Sequence, residues 1–158
     1  MRVSFYLIGK IKEDYILEGI SKYKTLLRPF CDVEICFFDD VTYKKEPSEK
    51  EIINGLDKEA ESVLSKIDQQ DLLILCDLHG RSLDSIELAN YINSEKNNKS
   101  RIKIVIGSSY GLSDKLRRRA DLCLKLSDLT FVHPMCLLLM MEQIYRVFKI
   151  NSNQTYHK

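Results

Sequence analysis

Apolar positions near the start of the chain alternate. Val3, Phe5 and Leu7 share one face before Gly9 breaks the run, the period-two signature of a β-strand. Ile16, Ile20, Tyr23 and Leu27 then recur at three- and four-residue steps, which predicts a helix closed by Pro29. Alternation returns at Val33, Ile35 and Phe37, a second strand. After the charged loop "DDVTYKKEPS", Ser48 and Glu51 form a capping-box pair. It opens a helix whose inner face reads Ile52, Leu56, Ala60, Val63 and Ile67. "DLLILCDL" is short and continuously apolar, the mark of a strand covered on both faces as in a parallel sheet. "HGRS" reads as a turn into a helix carrying Ile86, Ala89 and Ile92. "RIKIVIG" predicts a fourth strand, "SSYGLS" a loop, "DKLRRRA" a basic helix and "DLCLKLS" a fifth strand. The loop "DLTFVH" leads to Pro134, which suits the first turn of a last helix because its missing N–H costs nothing there. This alternation, without repeats or linkers, predicts one α/β domain over residues 1–158 with a mostly parallel, helix-flanked sheet.

In such sheets ligands collect outside the carboxyl ends of the strands. That draws attention to three junctions, "CDLHGRS", "IGSSYGLS" and "LSDLTFVHP". Gly107 and Gly111 fit neither a dinucleotide fingerprint nor a phosphate-binding loop, but glycine permits close backbone approach to a planar ligand. Ser127, Asp128 and Thr130 supply side-chain acceptors that serve a ligand or a helix cap equally well. His133, read alone, is a packed histidine at a helix start, and His79, His133 and His157 have no metal-ligand spacing. The last helix is unusual. Met135 and Leu137 to Met141, interrupted by no polar residue, are followed by Ile144, so its first half is apolar nearly all round. Such a helix is central to a core or shared with a second subunit.

Composition narrows the partners. With 24 Lys and Arg against 23 Asp and Glu, the net charge of +1 makes no global case for nucleic acid, so any RNA contact is local. The densest basic cluster is Lys115 with Arg117, Arg118 and Arg119, which is either a solvated face or a set of phosphate contacts. The tail residues Tyr156, His157 and Lys158 combine a stacking ring, an imidazole and a cation. Five cysteines without a Cys-x-x-Cys pair fit reduced thiols, and neither a disulfide framework nor zinc. Cys31 and Cys36, five apart, belong on opposite faces of one strand. "MRVSFYLIGK" is too short for a signal peptide, and no apolar run approaches the ~20 residues of a membrane span. A cytoplasmic protein without membrane or metal partners is the expectation.

Together these segments resemble the SPOUT-class methyltransferases that modify N3 of a pseudouridine in bacterial large-subunit ribosomal RNA, the RlmH family. The resemblance is collinear through "IGK", "LCDLHGRSLDSIELA", "IVIGSSYGL", "LSDLTFVHP", "EQIYR" and "YHK". It implies an S-adenosyl-L-methionine-dependent rRNA methyltransferase, a homodimer with a C-terminal trefoil knot, acting on the ribosome. By position it implies cofactor contacts at Cys76, Gly107, Leu126, Ser127, Asp128, Leu129, Thr130 and Phe131. For catalysis it points to His133, Glu142 and Arg146, with Asp77 a further helper. For RNA the basic helix offers Arg117, Arg118 and Arg119, and the tail Tyr156, His157 and Lys158. The chain departs from the family pattern at Ser108 (glycine), Val132 (proline) and Leu137 (arginine). The competing expectation is a ribosome- or RNA-binding protein that kept the fold without efficient catalysis. Small-molecule methyl transfer is a third reading, which leaves the basic helix and tail unexplained.

Overall fold

A computed structural model describes residues 1–156, so His157 and Lys158 lie outside the described residues. The elements run β1 (Arg2–Ile8), α1 (Asp14–Leu27), β2 (Asp32–Phe38), α2 (Glu49–Leu64) and β3 (Asp71–Ser82). Then follow α3 (Ser85–Glu95), β4 (Arg101–Ile106), α4 (Asp114–Arg119), β5 (Leu122–Lys125) and α5 (His133–Asn151). All strand pairs are parallel, in the order β2-β1-β4-β3-β5. The sheet is therefore covered on both faces, as the continuous apolar run of β3 requires.

Strand alternation sorts the core into two layers. Val3, Phe5, Leu7, Ile74 and Ile104 pack with Ile16 and Ile20 of α1, Leu88 and Ile92 of α3, and Leu137, Met141 and Ile144 of α5. Tyr6, Ile8, Leu73, Leu75 and Val105 face the other way, onto Ala60 and Val63 of α2 and Leu116 of α4. Cys31 joins the first layer and Cys36 lies against the second, the opposite faces their spacing requires. Burial pushes the Cys31 thiol up to about 11, so it is an inert thiol near neutrality.

Helix starts follow the sequence signals. The Ser48 hydroxyl accepts from the Glu51 N–H at 3.3 Å while the Glu51 carboxylate accepts from the Ser48 N–H at 2.8 Å. Asp84 and Glu87 make the same reciprocal cap on α3, and Ser113 caps α4. Three local expectations need correction. "HGRS" is no turn: β3 continues to Ser82 across an irregularity between Cys76 and Arg81, because Arg81 and Ser82 pair again with β5. Ile86 is exposed and Leu88 takes its place in the core, since the cap at Asp84 sets the rotation of α3. Phe37 is exposed because β2 is an edge strand.

The apolar circumference of α5 has a source within one chain. The helix packs between α1 and α3 over the sheet, with Met140, Met141 and Ile144 wholly buried. Leu138 fits where Gly19 of α1 leaves room, since a Cβ there would lie 2.9 Å from the leucine. Leu137 is also fully buried in this layer.

Candidate active site

Four chain segments meet beyond the carboxyl ends of β1, β3, β4 and β5 and enclose a cavity of about 690 Å³. That volume lies within the roughly 300–1,000 Å³ of small-molecule sites. Its apolar wall includes Ile106, Leu112, Leu126, Phe131, Pro134 and Cys136, and its polar edge includes Asp77, Ser127, Thr130 and His133.

The loop after β4 is a tight turn. The Gly111 N–H donates to the Ser108 carbonyl at 2.9 Å, and Gly111 has φ +99°, a conformation that favours glycine. Gly107 is needed for space: a Cβ there would sit 2.4 Å from the Gly111 carbonyl oxygen. Helix α2 holds this loop from behind. Ser108 Oγ donates to the buried carboxylate of Glu59 at 2.9 Å, and that carboxylate also accepts from the Val41 N–H at 2.9 Å. Burial pushes the Glu59 carboxyl up, against the pull of these two hydrogen bonds. The ring of Tyr110 meets Tyr43 edge-on at 5.5 Å. Ser108 is thus a tether, made by a residue that departs from the resembled pattern.

On the next strand, Asp77 is buried and paired. Arg117 Nε donates to its Oδ2 at 2.6 Å and Nη2 to its Oδ1 at 3.3 Å, with the His79 N–H donating at 3.1 Å. Burial raises the Asp77 pKa, but the hydrogen bonds and charge of Arg117 outweigh it and hold the carboxyl below the ordinary range. Asp77 is therefore an ionised, neutralised wall group. Burial pushes the Cys76 and Cys136 thiols up, so both serve as apolar lining.

His133 begins α5 with Nε2 at 3.3 Å from the Lys10 carbonyl, a contact in which the ring N–H donates. Gly9, at φ +120°, lets the β1–α1 loop lie on the imidazole; a Cβ there would be 3.0 Å from His133 Nε2. Ser127 Oγ accepts from the Leu129 N–H at 3.0 Å, shaping the loop before α5.

The structure brings together Cys76, Gly107, Leu126, Ser127, Leu129, Thr130, Phe131 and His133 around the cavity. Asp128 belongs to the same loop, but its side chain turns outward to Lys125 at 2.8 Å and is not in the lining. Glu142, Arg146 and Tyr156 form a separate cluster on α5. Arg146 donates to Glu142 at 2.6 Å and lies 4.7 Å over the Tyr156 ring, whose hydroxyl donates to Glu142 at 3.3 Å. Nine residues of helix separate His133 from Glu142, about 13.5 Å of rise, so one chain does not join them at the cavity. Arg117 lines the cavity, and Arg119 is bound to Asp121 and to the carbonyls of Asp68, Gln69 and Asp71. Arg118 is exposed. Lys10, Lys12 and Glu13, on the loop after β1, also line the cavity and were not singled out by sequence reasoning. Applying the carboxyl-end argument to "IGK" would have found them, because β1 lies beside β4 in the middle of the sheet.

Among the described residues no cluster of three His, Cys, Asp or Glu is placed to hold a metal, and no helix is long and apolar enough to cross a membrane. The family model described as a predicted SPOUT methyltransferase matches residues 1–157. The chain belongs to the SPOUT methyltransferase family. It is 37% identical over 157 residues to the ribosomal RNA large subunit methyltransferase H of Pseudothermotoga lettingae, covering 99% of each chain. It is 38% identical over 159 residues to the protein of the same name from Clostridioides difficile, covering 100% of each. A probable methylase family protein of known structure from Haemophilus influenzae superposes with a TM-score of 0.54 at 18% identity, over 99% of this chain and 70% of that one. That likeness supports the fold alone. The cavity of this SPOUT protein takes its walls from the strand ends of one continuous sheet.

Proposed function

We propose that the chain transfers a methyl group from S-adenosyl-L-methionine to N3 of a pseudouridine in large-subunit ribosomal RNA, acting as a cytoplasmic homodimer. The observation that carries this reading is the glycine-shaped cavity at the strand ends in a member of a methyltransferase family. Its size and apolar wall suit an adenosine-bearing ligand, with Ser127, Thr130 and loop backbone groups as polar partners. The bound donor supplies an already activated methyl group. The protein's task is then positioning and water exclusion, with removal of the N3 proton by a base or through water. His133 stands at the cavity edge with one ring nitrogen engaged by Lys10, which fixes the imidazole plane. In this reading Glu142, Arg146 and Tyr156 face the cavity of the partner subunit. The family's trefoil-knot path belongs to the same proposal; in its support, α5 returns from the edge strand β5 to pack over β1 and β4 at the centre of the sheet.

Ribosomes from a strain lacking the protein, incubated with purified protein and methyl-labelled S-adenosylmethionine, test the proposal. Label in large-subunit RNA is the expected result. Tight ribosome binding with no label would leave the non-catalytic reading instead.

A further inference from the structure

We propose that Lys10 and Lys12 form a phosphate-contacting rim at the mouth of the cavity, gripping the RNA backbone beside the nucleotide to be modified. This rests on the reading of the site as an RNA methyltransferase.

Arg117 is bound to Asp77 and Asp114. Lys115 reaches Glu61 at 2.8 Å and Asp57 at 3.7 Å. Arg119 is taken by Asp121, Lys125 by Asp128 and Arg146 by Glu142. A cation already paired must break that pair before it can hold a phosphate. Helix α5 carries neither lysine nor arginine between His133 and Glu142. Lys10 and Lys12 are the contrasting case. Both are exposed, both line the cavity, and among the described residues neither ammonium group has a hydrogen-bond or ion-pair partner. Arg118 shares that freedom but does not line the cavity.

Position supports the same assignment. The loop leaves a central strand and is anchored at both sides, by the Gly9 N–H donating to the Phe38 carbonyl at 2.8 Å and by the Lys10 carbonyl on His133. The lysines are therefore held in register with the imidazole and with the cavity opening. Glu13, which accepts from the Lys12 N–H at 3.1 Å, offsets one of the two positive charges. The rim is a modest local attractor, which a chain of net charge +1 needs if it is to meet a polyanion at one place and in one orientation.

The test uses full-length protein and purified ribosomes as the probe. Binding is titrated across salt concentrations for wild type, Lys10→Gln/Lys12→Gln, Lys10→Arg/Lys12→Arg, and a charge-matched Lys22→Gln/Lys24→Gln on α1 outside the cavity. For two lost phosphate contacts the slope of log K against log salt should flatten by about 1.4–1.8. The rim glutamine variant should show that change and weaken roughly tenfold near physiological salt. The arginine variant should restore both, and the α1 variant should match wild type. Calorimetry should give unchanged S-adenosylmethionine affinity in the α1 variant, whose lysines lie outside the cavity. An unchanged slope in the rim variant, or an equal loss in the α1 variant, overturns the rim. Methyl transfer by the wild-type protein to the same ribosomes tests the underlying reading separately.

Discussion

Leu137 and Glu59 show how a single side chain's surroundings set the sign of a substitution. Leu137 stands where the resembled pattern has arginine, and in this fold it is fully buried between α5 and its neighbours. Restoring arginine there would bury an unpaired charge, which costs roughly 3–5 kcal/mol. Leu137→Arg should therefore lower the melting temperature by roughly 6–20 °C and gain no methylation rate, measured by thermal unfolding and label transfer. A stable, faster enzyme would contradict this. Glu59 carries the opposite lesson. Its folded-state pKa is raised, so the unfolded chain ionises it first and stability is lost as pH rises above the ordinary value of 4.5. Glutamine can accept from Val41 and donate to Ser108 without a charge. Glu59→Gln should thus gain stability relative to wild type at pH 8 compared with pH 4, as read by urea melts at both.

Among the elements, the loop after β4 joins sheet geometry to ligand binding most directly. Its turn is closed by Gly111 and its backbone passes so near itself at Gly107 that even a methyl group meets the Gly111 carbonyl. Gly107→Ala should open the turn and weaken S-adenosylmethionine binding at least tenfold by calorimetry. The melting temperature should fall by several degrees as well, because the same Cβ would lie 2.9 Å from Leu112 Cγ, a side chain of the second core layer. Unchanged affinity in the folded variant would remove this loop from the site. Helix α4 shows the limit of element-level reading. Its basic run suggests one solvent- or RNA-facing surface, yet Arg117 turns into the cavity and Arg119 onto the β3 entrance, leaving Arg118 exposed. At 3.6 residues per turn, three consecutive arginines cannot share a face.

At the scale of the whole molecule, the apolar residues left uncovered bear on assembly. Leu129 and Val132, 71% and 69% exposed, flank the cavity mouth, whereas Met140 is completely buried. Surface left open at the mouth fits a subunit contact better than the buried face of α5 does. We expect a dimer at micromolar concentration by sedimentation. Leu129→Asp should shift it to monomer with unfolding temperature nearly intact, while Met140→Lys should unfold the chain. A monomeric wild type, or a dimer indifferent to Leu129→Asp, would defeat this.

Local periodicity was enough to read the α/β alternation, the cap at Ser48 and the split of Cys31 from Cys36, because each depends on residues a few positions apart. The three glycine- and acceptor-rich junctions were legible too, since strand ends are where such sheets place ligands. What needed the tertiary structure was every choice made by contacts distant in sequence. The strand order brought "IGK" beside "IGSS" and so put Lys10 and Lys12 at the cavity. Pairing with β5 extended β3 through "HGRS", and packing of α1 and α3 around α5 enclosed Leu137. Asp77, forty residues from Arg117, captured that arginine for the cavity wall. A sequence pattern states which faces must be buried or charged. Only the folded chain decides what each face meets, because that depends on which strands become neighbours.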